Sequence, residues 1–154
     1  MRKIKITSKK ALLAAMLLSL VLTQYACAEV EFKTAVITCG DIELEVEIAD
    51  KRPDRDKGLM YRETLKDNSG MLFVYPKQVL CKLWMKNTYI PLSAAFIDND
   101  GMITQIVYMK KTNSAKIYSS NKKVRYALEV PLGWFKKNGI KVGDYCVIPD
   151  IPSK

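Results

Sequence analysis

From Ile42 to Ala49 the chain reads IELEVEIA, with Ile42, Leu44, Val46 and Ile48 at every second position and Glu43, Glu45 and Glu47 between them. Successive side chains of a β-strand point to opposite faces, whereas a helix would spread these residues around its circumference. A period of two therefore commits the segment to a strand with one face inward. The three glutamates then stand about 7 Å apart on the other face, which fits a solvated surface better than a cation site. Val30, Phe32, Thr34, Val36 and Thr38 repeat the same period, and Cys39-Gly40-Asp41 supplies a tight turn between the two runs. Together they predict a β-hairpin.

The rest of the chain extends this pattern. Asp50 to Gly58 reads as a short helix, with Asp50 as its cap, Pro53 in its first turn and Gly58 as its terminator. Met71 to Tyr75 is a short apolar strand that Pro76 is expected to stop. Leu80–Lys86, Leu92–Asp98, Met102–Met109, Val124–Val130 and Tyr145–Ile148 read as further strands, and Asn99-Asp100-Gly101 is a hairpin turn. Lys110 to Lys123 is polar and lysine-rich and reads as a long loop, of the kind that often grips ligands above a sheet. Trp134 to Asn138 predicts a second short helix. The expected architecture is mainly β, with two short helices.

At 154 residues the chain suits one domain with a real core. Arg2, Lys3, Lys5, Lys9 and Lys10, followed by the apolar run Ala11 to Leu22 and by Ala26-Cys27-Ala28, have the layout of an export signal. That run is shorter than the roughly 20 residues a permanent membrane anchor needs. The expectation is a signal peptide over 1–28, a single β-rich domain over 29–154, and an exported protein in the periplasm or outside the cell, with no transmembrane anchor after processing. A lipid-bearing Cys27 is the competing reading, and Gln24 three residues before it argues against that.

The formal charge of +9 belongs largely to the signal: five of the 25 basic residues lie there and no acid does, leaving 20 against 16, or +4. No dense basic stripe remains, so no nucleic-acid partner is expected. The chain contains no histidine, which excludes Ser-His and Cys-His catalytic arrangements and disfavours a zinc site; no metal or cofactor is expected. Cys39, Cys81 and Cys146 remain after the signal. They can form one disulfide plus a free thiol, or stay as three buried thiols. A Cys39–Cys146 bridge between neighbouring terminal strands would close a loop of about 100 residues, worth on the order of 4 kcal/mol.

The stretch Leu83 to Gly101, LWMKNTYIPLSAAFIDNDG, concentrates the functionally suggestive side chains. If Cys81, Leu83 and Met85 share one face of a strand, Lys82, Trp84 and Lys86 share the other. A tryptophan flanked by lysines suits a groove where a ring stacks on a ligand, and equally a ring under a covering loop. Arg62, beside apolar anchors, could receive a carboxylate or phosphate, or pair with a nearby acid. Asn87 and Thr88 offer hydrogen bonds to a ligand or to strand ends. Asp98 stands just before a turn, where aspartate commonly bonds its own backbone. The candidate ligand-binding residues are Arg62, Trp84, Lys86, Asn87, Thr88 and Asp98.

GLMYRETL at Gly58 to Leu65, GMLFVYP at Gly70 to Pro76, LWMKNTYIPL at Leu83 to Leu92, FIDNDGMITQI at Phe96 to Ile106 and VRYALEVPLGWFKKNGIKVGD at Val124 to Asp144 together resemble the family known as domain of unknown function 192 (DUF192). The resemblance covers most of the chain beyond the signal and implies a compact β-sandwich or barrel of the jelly-roll sort. It implies no reaction. Members usually carry an acid after the Pro-Leu of the central motif, where this chain has Ser93.

These features favour a small exported binding module for an envelope glycan, peptide or other small ligand over an enzyme, with its oligomeric state open. The alternative is a histidine-independent envelope hydrolase using Asp98 with Glu129, or Asp98 with Lys86, since two carboxyl groups about 5 to 9 Å apart can cleave glycosidic bonds.

Overall fold

The structure is a computed structural model that describes residues 31–151; the predicted signal and Cys27 lie outside the described residues. The fold is mainly β. Its elements are β1 (Lys33–Cys39), β2 (Ile42–Ala49), α1 (Arg52–Lys57), β3 (Ser69–Val79), β4 (Lys82–Met85), β5 (Leu92–Ile97), β6 (Ile103–Met109), β7 (Ser114–Ser119), β8 (Val124–Pro131), α2 (Trp134–Lys137) and β9 (Cys146–Val147).

Seven strands form one curled sheet in the order β6-β5-β8-β3-β2-β1-β9, and β4 pairs with β7 in a second, two-stranded sheet. The alternating segments make the predicted hairpin, with Cys39 opposite Ile42 and Lys33 opposite Ile48. From β2 the chain passes through α1 and returns as β3, parallel to β2, so that Ala49 lies beside Phe73. Pro53 sits in the first turn of α1 and Gly58 ends it at φ 49°, as the sequence suggests. Asp50 does not cap it: Lys51 is the N-cap residue, without a side-chain bond, while the Asp50 carbonyl accepts from the Arg55 guanidinium.

Two segments differ from the sequence expectation. Strand β3 continues past Pro76 to Val79, but its register against β8 shifts between Val74 and Val79. Proline has no N–H to give the ladder, so the strands part there. The Val74 and Tyr75 carbonyls are taken instead by the Arg55 and Arg125 guanidinium groups. The expected loop Lys110–Lys123 contains β7, whose Ile117 and Tyr118 lie opposite Trp84 and Leu83 of β4. Its side chains are mostly exposed, so no apolar alternation marks the strand.

Because side chains alternate, each face of the large sheet has its own core. One gathers Ile37, Leu44, Val46, Ile48, Leu72, Val74, Leu128 and Val130 under Trp134 and Phe135 of α2. The other gathers Met71, Phe73, Leu92, Ala94, Phe96 and Ala127 with Leu59 and with Leu83 and Met85 of β4. Cys39 and Cys146, opposed across β1 and β9, form a disulfide, and Cys81 is a buried free thiol. Gly101 makes the β5–β6 turn pass close to the last strand, since a Cβ there would come within 2.5 Å of the Cys146 carbonyl oxygen.

Candidate functional site

A cavity of about 360 Å³ opens on the second face, where the β4–β7 pair and α1 approach the sheet without filling the space between them. Phe73, Tyr75 and Glu129 come from the sheet, Leu83 and Trp84 from β4, Ile117 from β7, and Arg55 and Lys57 from α1. The parting of β3 from β8 at Pro76 gives the cavity one wall, because Tyr75, Val79 and Leu80 line it on either side of the break. Leu80, Trp84 and Ile117 are 58%, 44% and 55% exposed, so large apolar groups at the mouth remain in contact with solvent.

Glu129 is the chemically unusual member. It lies on the central strand β8, opposite Met71 of β3 and Ala94 of β5, and is 4% exposed. Gly70 lets β3 run close beside it, since a Cβ on Gly70 would stand 2.3 Å from the Glu129 carbonyl oxygen. Burial pushes its carboxyl up from 4.5 to about 8, with no hydrogen bond or cation opposing the shift. At neutral pH this acid is therefore mostly protonated.

Beside it, the Tyr75 hydroxyl and the Cys81 thiol are 3.1 Å apart. Burial raises the thiol to about 11 and the phenol well above its ordinary value, and the nearness of the Glu129 carboxyl adds to both shifts. A thiol so poorly ionised is a weak nucleophile. The Arg55 guanidinium lies 5.2 Å from the Tyr75 ring centre and is held there by the Asp50 and Val74 carbonyls.

Of the residues singled out in the sequence, the structure brings Trp84 and Thr88 to the cavity lining. The alternation on β4 is as expected, with Leu83 and Met85 buried and Lys82 and Trp84 exposed. Lys86 is not part of the lining; its ammonium stands 5.3 Å from the Trp84 ring centre, in cation–π range. Thr88 is buried, and its hydroxyl donates to the Lys86 carbonyl.

The other three lie outside the lining. Arg62 donates twice to Glu47, at 2.6 and 2.8 Å, the pairing its alternative reading allowed. Asn87 adopts φ 53° and donates to the Tyr61 hydroxyl at 2.9 Å. Asp98 Oδ1 accepts the Asp100 and Met102 backbone N–H groups at 3.1 and 2.9 Å, a turn-closing role. Asp98 is also four residues along β5 from Ala94, the partner of Glu129, which puts about 13 Å between the two acids along the strand. That exceeds the span a carboxylate pair uses in glycoside cleavage, about 5 to 9.5 Å.

Ser93 is fully buried and its hydroxyl accepts the Gly133 N–H at 2.9 Å. Tyr75, Lys57 and Ile117 are lining residues that the sequence does not single out; Lys82 is marked there only as a flank of Trp84, Cys81 only as a thiol, and Glu129 only as half of a catalytic pair. The available signal for Glu129 was a single acid inside the apolar run Ala127-Leu128-Glu129-Val130.

Among solved structures, one described as a candidate transcription regulator from Sinorhizobium meliloti 1021 matches with a TM-score of 0.75 at 34% identity, covering 77% of this chain and 96% of that one. A protein of unknown function from Novosphingobium aromaticivorans DSM 12444 matches with a TM-score of 0.73 at 25% identity, covering 79% and 89% respectively. No curated protein matches. The model of the family described as "Uncharacterized ACR, COG1430" covers residues 35–148, from within β1 to just past β9, and so includes every strand of the cavity wall: the chain belongs to the DUF192 family.

Proposed function

We propose that this protein is an exported envelope module that binds a small organic ligand, a glycan or peptide fragment or a molecule of similar size, in the cavity between the sheet and the β4–β7 pair. The observation that carries this reading is the combination of volume and lining. About 360 Å³ lies within the range of small-molecule sites, and the walls combine apolar and aromatic groups with the charged side chains of Arg55, Asp56, Lys57, Lys82 and Glu129. Trp84 offers a ring face at the mouth. The Cys39–Cys146 disulfide supports export, because such bridges persist in oxidising compartments.

Binding is favoured over hydrolysis by the placement of Asp98, whose carboxylate closes a turn away from Glu129. A regulator's role, the description attached to the Sinorhizobium protein, would call for an element that reads nucleic acid. The two helices among the described residues have six and four residues, too short to present a helical recognition face along a groove. Among the described residues no helix is long and apolar enough to cross a membrane.

The test is an equilibrium-binding survey of envelope glycans and peptides against wild type and Trp84→Ala. Saturable binding that Trp84→Ala weakens at least tenfold is expected; equal weak binding by both proteins refutes the proposal. N-terminal sequencing of the secreted protein checks the export component, with cleavage near Ala28 expected.

A further inference from the structure

Resting on that binding reading, we infer that the ligand carries an organic ammonium group, which pairs with Glu129 at the cavity floor while an anionic group at its other end meets Lys57 and Lys82. Glu129 is 4% exposed and lines the cavity; no side-chain hydrogen bond to its carboxyl occurs among the described residues, and since no fully buried polar side-chain atom lacks a partner there, its oxygens open on the cavity space. Burying an acid unpaired is destabilising, and the strand would be more stable with an apolar residue in its place. A cation arriving in the cavity supplies the missing partner.

The surrounding side chains suit a cation as well. Phe73, Tyr75 and Trp84 line the same space, and aromatic faces attract ammonium groups. No metal is an adequate substitute, since no cluster of three or more metal-ligating side chains occurs among the described residues.

The mouth has the opposite character. Lys57 and Lys82 line it, and neither forms an ion pair among the described residues; Asp56, also there, is paired with Arg52 at 3.7 Å. The apolar stem between the two charged ends would lie along Leu83, Trp84 and Ile117.

The groups facing Glu129 define the pH behaviour. Tyr75 on β3 and Cys81 beyond it stay neutral below about pH 10, since burial raises both. Arg55 of α1 is held by two backbone carbonyls, and β5 presents Ala94 directly opposite. Lys57, Lys82 and Asp56 stand at the mouth. An ammonium ligand that needs the ionised acid must displace the proton Glu129 holds below about pH 8, so affinity should rise about tenfold per pH unit toward that value.

Four probes test this on the full secreted protein: 6-aminohexanoate, hexylamine, hexanoate and hexanol, followed by the Trp84 indole N–H resonance and by calorimetry in buffers of different ionisation heat. Expected are binding of 6-aminohexanoate and hexylamine, with hexanoate and hexanol at least tenfold weaker. About one proton should be released per ligand at pH 6.5, and affinity should climb between pH 6 and 8. Glu129→Gln should remove both the ammonium preference and the pH dependence while melting as cooperatively as wild type. Hexanol binding as well as hexylamine, or hexanoate binding with an affinity that falls above pH 8, overturns the ammonium inference and leaves the cavity as a binding site. Silence of the Trp84 resonance toward all four probes overturns both.

Discussion

The two faces of the large sheet are made by the same strands and are used in opposite ways. On β8, Leu128 and Val130 enter a sealed hydrocarbon core beneath Trp134 and Phe135, whereas Ala127 and Glu129, one residue away, face the side with the cavity. The sealed side is fastened by the disulfide and by the Trp134 indole N–H, which donates to Asn68 Oδ1 at 2.9 Å. The open side is covered by a short two-stranded sheet and one turn and a half of helix, and it holds the buried acid. Alternation makes this possible, since the packing of one face does not constrain the chemistry of the other. Both faces carry a buried apolar core, and the second holds the energetically unfavourable acid in addition.

The comparison is most directly broken at the disulfide. Cys39 and Cys146 are 107 residues apart, so replacing both with alanine should lower unfolding free energy by about 4 to 5 kcal/mol, read from denaturant unfolding. Ligand binding by the molecules that remain folded should be unchanged. Loss of binding without loss of stability would mean the two faces are not independent.

The two tryptophans sharpen it further. Trp134→Ala empties a sealed site and should cost about 3 to 5 kcal/mol. Trp84→Ala, at a 44% exposed ring, should cost about 1 kcal/mol or less and act mainly on binding. Thermal melting of the pair gives the ranking, and a reversed order would place the dominant core on the cavity side.

The pH dependence from Glu129 is spread over several pH units. Its carboxyl titrates near 4.5 when unfolded and near 8 when folded, so between those values the folded protein holds one more proton. This contribution is fully present below 4.5 and is lost at about 1.4 kcal/mol per pH unit as pH rises toward 8. Glu129→Gln should flatten that decline. Urea midpoints for both proteins at pH 5, 6.5 and 8 measure it, and parallel midpoint curves would show that Glu129 is not the buried acid described.

Much of the fold was legible because strands with one buried face write their period into the sequence. The hairpin of β1 and β2, the Asn-Asp-Gly turn and both short helices followed from local pattern. Strand β7 did not, because a mostly exposed pair partner has no apolar face to display. The continuation of β3 past Pro76 depended on two distant arginines capturing carbonyls, Arg55 and Arg125. The same limit applied to the candidate site. Trp84 was recognisable from its flanking lysines, while Arg62 and Asp98 carried attractive chemistry that Glu47 and a backbone turn consume.

The sequence by itself determined which residues alternate, where the chain turns and which family motifs it carries, because those depend on neighbours within a few positions. Only the tertiary structure decided that Cys39 meets Cys146, that Asp98 and Glu129 stand apart, and that Glu129 is enclosed beside Tyr75 and Cys81. Strand order and desolvation arise from segments far apart in the chain, and no local pattern records them.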